Sequence, residues 1–156
     1  MNILFVCLGN ICRSPIAEAL LKKKYTENNI DAKVDSAGFE PYHINRPPDK
    51  KAIKISKKNG LEIGGRSRLF IKADFDIYDK IFAMDSQNYE DVIELSRSKN
   101  DLKKVDLIMN IIEPGRNKNL PDPFRSGNEN YDDVYEILDK VTDKLVEMAL
   151  EKKAKA

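Results

Sequence analysis

With 156 residues, of which 41% are hydrophobic and 34% charged, the chain suits one domain, 1–156, with a real core, and its formal net charge of +1 offers no field for nucleic acid or an anionic membrane. Two cysteines and a single histidine speak against a disulfide framework and a structural zinc site, and point to a reducing, cytoplasmic setting. No apolar run approaches the roughly 20 residues of a membrane span, and the N-terminus lacks the basic-then-apolar order of a signal peptide.

In chain order, residues 3–6 (ILFV) are a short continuous apolar run, as in a strand buried on both faces. CLGNICRSP (7–15) follows at once. Pro15 suits the first turn of a helix, where its missing N–H costs nothing, and 16–25 are rich in good helix formers. Residues 32–38 read as a second strand ending in a turn. Residues 47–60 read as a helix opened by proline and closed by Gly60. A third strand spans 79–85, and a helix over 86–96 takes Ser86 as its N-cap. A fourth strand spans 104–111. Val134, Ile137, Leu138, Val141, Leu145 and Met148 form one face of a long final helix, whose last residues, EKKAKA, are expected to fray.

Such alternation predicts an α/β fold in which the four strands make a mostly parallel sheet flanked by helices on both faces, with the loop 7–14 after the first strand. Ligands of such sheets bind outside the carboxyl ends of the strands, which is where residues 7–14 fall. The irregular stretches near 37–46, 60–71 and 112–127 are candidate walls of that crevice.

The loop itself carries the chemistry. Between a strand end and a helix start, the backbone N–H groups of Leu8, Gly9, Asn10, Ile11, Cys12, Arg13 and Ser14 lack regular partners and can converge on an anion. Gly9 and Asn10 tolerate the left-handed backbone such a nest needs. Arg13 adds a planar fork for two phosphate oxygens. Cys7 lies at the base of this positive cup, where comparable settings lower a thiol pKa to roughly 3.5–7.5. Ser14 is placed to donate to the sulfur. The alternative is a buried, inert cysteine.

A thiolate that attacks a phosphate monoester must expel an alkoxide or phenoxide, which needs a proton. His43 is one source. Asp122 is the better one: it follows the fourth strand and sits between two prolines that fix its backbone. Cys12, in the same loop as Cys7, reads either as a redox guard that condenses with oxidised Cys7 or as a small residue that packs the loop.

CLGNICRSP, DSAG (35–38), RPPD (46–49), MD (84–85) and DP (122–123), in that order, make the whole chain resemble the low-molecular-weight protein tyrosine phosphatases. The resemblance implies hydrolysis of phosphotyrosine in proteins and of other aryl phosphates, with no metal and no cofactor. It makes Cys7 the phosphocysteine, Arg13 the holder of the phosphoryl group and Ser14 the stabiliser of the thiolate. Asn10, assisted by Ser36, keeps the loop in shape. Asp122 protonates the leaving oxygen and then activates water. Partners are then a phosphotyrosine-containing protein and inorganic phosphate or a similar oxyanion, and the chain is expected to be a monomer.

Departures fall on the rim. Arg125 stands where an aromatic is usual after DP, Tyr42 is the residue closest to a usual tryptophan, and GGRSR (64–68) offers glycine where a histidine is common. Ile11, Tyr42 and Phe124 are expected to line the substrate ring. Arg125 either attracts acidic residues beside the phosphotyrosine or points into solvent. Arsenate reductases of this fold need later cysteines, which this chain lacks. Arginine phosphatases typically place a small polar residue where Ile11 stands. A non-catalytic phosphate carrier has no use for Arg13 and Asp122 together. Tyr131 and Tyr135 are expected at the surface.

Overall fold

The apolar run at the N-terminus is strand β1 (Ile3–Val6), buried at every position because a strand pairs on either side of it. The computed structural model describes residues 1–41, 44–122 and 131–155. Helix α1 (Arg13–Glu27) follows β1, then β2 (Val34–Ala37), α2 (Lys50–Lys58), α3 (Asp74–Ile77), β3 (Lys80–Ala83), α4 (Ser86–Glu94), α5 (Lys99–Lys103), β4 (Val105–Leu107), a 3₁₀ turn (Ile108–Ile111) and α6 (Tyr131–Lys155). The sheet order is β2-β1-β3-β4 with every pair parallel, so β1 lies between β2 and β3. This is the α/β sheet that the alternation of elements implies.

Alternation along β1 divides the core. Ile3, Phe5 and Cys7 face one side, among Ile16, Leu21, Leu138 and Leu145 from α1 and α6. Leu4 and Val6 face the other, with Phe70, Phe75 and Val92. Helices therefore cover both faces. Among the described residues, no helix is long and apolar enough to cross a membrane.

Several details differ from the reading of the sequence. Asp85, not Ser86, caps α4, accepting from the Asn88 N–H at 2.9 Å. The fourth strand stops at Leu107 because Asp106 Oδ1 accepts from the Leu107 N–H and from Asn110 Nδ2, which draws the chain into the 3₁₀ turn. Helices α3 and α5 are too short for a periodic signal; Ser98 caps α5. Helix α6 keeps helical geometry to Lys155, where Lys152, Lys153 and Lys155 favour the negative end of its dipole. Tyr131 and Tyr135 are buried. Gly60 does close α2, at φ +74°.

Candidate active site

The parallel ladder runs one step past β1: the Cys7 N–H donates to Ala37 O at 3.2 Å, which pins Cys7 at the carboxyl end of the sheet beside the switch in strand order. The chain then turns into α1. Of the two residues that tolerate the left-handed backbone, Asn10 adopts it, at φ +56°, and Gly9 does not. The first α1 amide to find a helical carbonyl is that of Ile16, bonded to Cys12 O at 3.4 Å, which leaves earlier N–H groups of the turn for another acceptor.

One amide organises the side chains. Asn10 Nδ2 donates to Ser14 Oγ and to Ser36 Oγ, each at 2.9 Å. Both hydroxyls are then free to give away their own protons. Ser36 donates to Glu18 Oε1, and Ser14 Oγ lies 2.9 Å from Cys7 Sγ, positioned to donate to a thiolate. Asn10 Oδ1 accepts from the Arg68 N–H at 3.0 Å. The loop is also propped from behind. Leu8 O accepts from the Phe39 and Glu40 N–H groups, and a Cβ on Gly38 would lie 2.9 Å from Leu8 O and from Asn10 N and Cβ. With the Asn88 amide nitrogen turned to Asp85 Oδ1, its oxygen accepts from the Leu8 N–H at 3.3 Å. Leu8 is thereby tied to α4, unlike the free donor expected of it.

Arg13 is 1% exposed. Its Nη1 donates to Asp85 Oδ2 (3.0 Å) and Leu120 O (2.9 Å), and its Nη2 reaches Asp122 Oδ2 at 3.4 Å. Its Nε is buried with no partner among the described residues. The Leu120 N–H bonds Met84 O at the end of β3, which delivers Asp122 to the same crevice.

Burial pushes the Cys7 thiol up. The Cys12 thiol, the Arg13 charge and the side chain and backbone of Ser14 outweigh that and bring its pKa down to about 6. Cys12 moves the opposite way, raised first by its bond to Cys7 and then by burial. Its thiol also lies 3.8 Å from Asp122 Oδ1, at the limit of reach for a thiol. Both cysteines are free.

Cys7, Asn10, Cys12, Arg13, Ser14, Ser36 and Asp122 thus come together. Ile11 joins them with its side chain buried and its carbonyl accepting from the Asp49 N–H at 2.6 Å. Tyr42, His43, Phe124 and Arg125 lie outside the described residues. Glu18, Gly38, Asp85 and Asn88 went unassigned in the sequence. Glu18, four positions after Ser14 on α1, and Asp85, at the end of the third strand, carried a positional signal; Asn88 carried none. Among the described residues, no group of three or more His, Cys, Asp or Glu is arranged to hold a metal.

The family described as low molecular weight phosphotyrosine protein phosphatase matches residues 2–156. The human protein of that name is 37% identical over 141 residues, covering 86% of this chain and 87% of its own. The crystal structure of a protein tyrosine phosphatase from Entamoeba histolytica superposes with a TM-score of 0.88 at 33% identity, over 98% of this chain and 99% of that one. A Drosophila arginine phosphatase superposes with a TM-score of 0.85 at 30% identity, over 95% and 97%.

Proposed function

The chain belongs to the low molecular weight phosphotyrosine protein phosphatases, hydrolases that work through a cysteine, and we propose that Cys7, Arg13 and Asp122 carry its reaction. The Cys7 thiolate attacks phosphorus: an S–P bond forms, the P–O bond to the tyrosyl ring breaks, and Asp122 gives its proton to the departing oxygen. Asp122 then takes a proton from water as the water oxygen bonds phosphorus. The S–P bond breaks, orthophosphate leaves and the thiolate returns. Arg13, through the unpaired Nε, and the N–H groups of the loop from Gly9 to Ser14 hold the phosphoryl oxygens. Ser14 steadies the sulfur as a leaving group, while Asn10 and Ser36 fix the loop. Every proton and charge in this cycle has a residue assigned to it, so no cofactor is invoked.

The observation that carries this reading is the buried Cys7 sulfur, 2.9 Å from the Ser14 hydroxyl at the start of α1, where the Cys12 thiol, the Arg13 charge and Ser14 bring its pKa down to about 6. Cys7→Ser is expected to abolish turnover of an aryl phosphate and retain phosphate binding; near-wild-type hydrolysis by that variant overturns the assignment. Asp122→Asn is expected to slow hydrolysis by about 10²–10⁴-fold, and by less for esters whose leaving group is already a weak base. A uniform loss across leaving groups points instead to a structural role. Because an arginine phosphatase shares the fold, phosphoarginine and phosphoserine are the comparison substrates.

The same reading makes the chain one cytoplasmic, monomeric phosphatase domain, with Ile11, Tyr42 and Phe124 against the ring and Arg125 at the rim. Cys12 guards Cys7: peroxide oxidises Cys7 to the sulfenic acid, and the Cys12 thiol condenses with it to a disulfide with loss of water. Cys12→Ser is expected to lose the recovery of activity by reductant after peroxide.

A further inference from the structure

Helix α2 has the sequence KKAIKISKK: five lysines in nine residues and no acid. Lys57 and Lys58 sit in its last turn, where the helix dipole favours cations. Lys50 and Lys51 sit in the first turn, where it opposes them, so helix stability does not account for their presence. Lys51, Lys54 and Lys58 recur on one side of the helix and, with Ile55, Tyr131 and Asp132, line a groove of about 420 Å³ between α2 and the start of α6. Ile55 and Tyr131 are buried and make its floor. Lys54 is exposed. Lys58 Nζ and Asp132 Oδ1 stand 3.7 Å apart, both side chains 72% exposed, a pair weak enough to open for a better anion.

The groove is tied to the catalytic loop through Asp49. Asp49, the N-cap of α2, donates its N–H to Ile11 O in the catalytic loop, and its carboxylate accepts from Tyr131 Oη at 2.8 Å. Burial first, then Asp49, Cys12 and Asp122, push the Tyr131 phenol up, so the floor of the groove feels the charges of the site. From Lys51 to Lys58 the helix rises about 10 Å, which an extended peptide covers in about three residues.

We propose that this groove docks an acidic stretch of the substrate protein, about two to five residues from the phosphotyrosine, with Lys51, Lys54 and Lys58 reading its carboxylates. The proposal rests on the phosphatase reading above. It assigns recognition to the body of α2, apart from any contribution of Arg125.

The test compares phosphotyrosine peptides with Glu or Gln at those positions, on either side of the phosphotyrosine. Each kcat/KM is divided by the rate of the same enzyme on 4-nitrophenyl phosphate. Wild type is expected to favour the Glu peptide about three- to tenfold at low salt, through KM, and to lose most of that preference near 0.5 M salt. Lys54→Gln with Lys58→Gln should bring the ratio close to one, and Lys54→Glu with Lys58→Glu should invert it. A ratio of one in wild type, a preference intact in both double variants, or one that disappears only with Arg125→Ala overturns the docking site. Failure of wild type to hydrolyse 4-nitrophenyl phosphate overturns the phosphatase reading and the groove with it, whereas hydrolysis without acid preference overturns the groove alone.

Discussion

A thiol as deeply buried as Cys7 would on burial alone keep its proton beyond pH 9; its pKa of about 6 comes from donors whose own protons are directed by their neighbours. Ser14 can give its proton to sulfur because Asn10 already donates to the serine oxygen, and Asn10 is held by Ser36, Arg68 and, through Ser36, Glu18. Alkylation of Cys7 by iodoacetate should therefore rise with a midpoint near pH 6, with Cys7 protonated and unreactive below it. Glu18→Gln leaves an amide in place of the carboxylate that receives the Ser36 proton, and a net hydrogen bond of this kind is worth about 0.5–1.5 kcal/mol. The alkylation midpoint is expected to move up by up to about one unit, with kcat falling about two- to tenfold. An unmoved midpoint would leave Glu18 with only its surface pairing to Lys22.

Elements make two of these positions hard to change. The end of β2 lies against the back of the catalytic loop, so Gly38→Ala drives a methyl into backbone atoms, with no flexible side chain to yield. Overpacking of this kind costs about 1–3 kcal/mol, and both Tm and activity should fall; a variant with wild-type activity would show that the loop can retreat. Asp85 serves α4 with one oxygen and Arg13 with the other. Asp85→Asn keeps a capping oxygen and removes the ion pair, so it should lower activity more than Tm, whereas Asp85→Ala should lower both, the lost cap costing about 0.5–2 kcal/mol. The same residue marks how far the sequence could be read. Ser86 and Asp85 are both good caps on local chemistry, and what decides between them is a guanidinium 72 positions away, which no local pattern reveals. Residues 3–6, the loop and the long amphipathic helix were legible because period and turn chemistry are local. The Asn10 node was legible in its residue types, but Glu18, Gly38 and Asn88 act through contacts that only the assembled sheet creates.

Over the whole molecule, the ionised sulfur links catalysis to stability. The Cys7 pKa is lowered on folding, so the native state holds fewer protons than the unfolded chain between pH 6 and 9. Stability from this group is complete above the unfolded value and is lost as pH falls through the folded one. Cys12, raised on folding, contributes in the opposite sense as pH rises past its ordinary value. Relative to Cys7→Ser, wild type should therefore gain stability from pH 6 to 9, by an amount on the order of a few kcal/mol at most. Denaturant melts of both proteins across that range test it, and parallel pH profiles would contradict it. The Asn10 amide has a further consequence. It sits between two anions, the Glu18 carboxylate near the surface and the sulfur at the base of the crevice, and its two protons point outward, one toward each. Phosphorylation of the sulfur takes the negative charge off that atom and places it farther out, on the phosphoryl oxygens, so the nitrogen and proton resonances of that single side-chain amide become a built-in reporter, distinguishing resting enzyme from covalent intermediate by NMR with no label at the reaction centre.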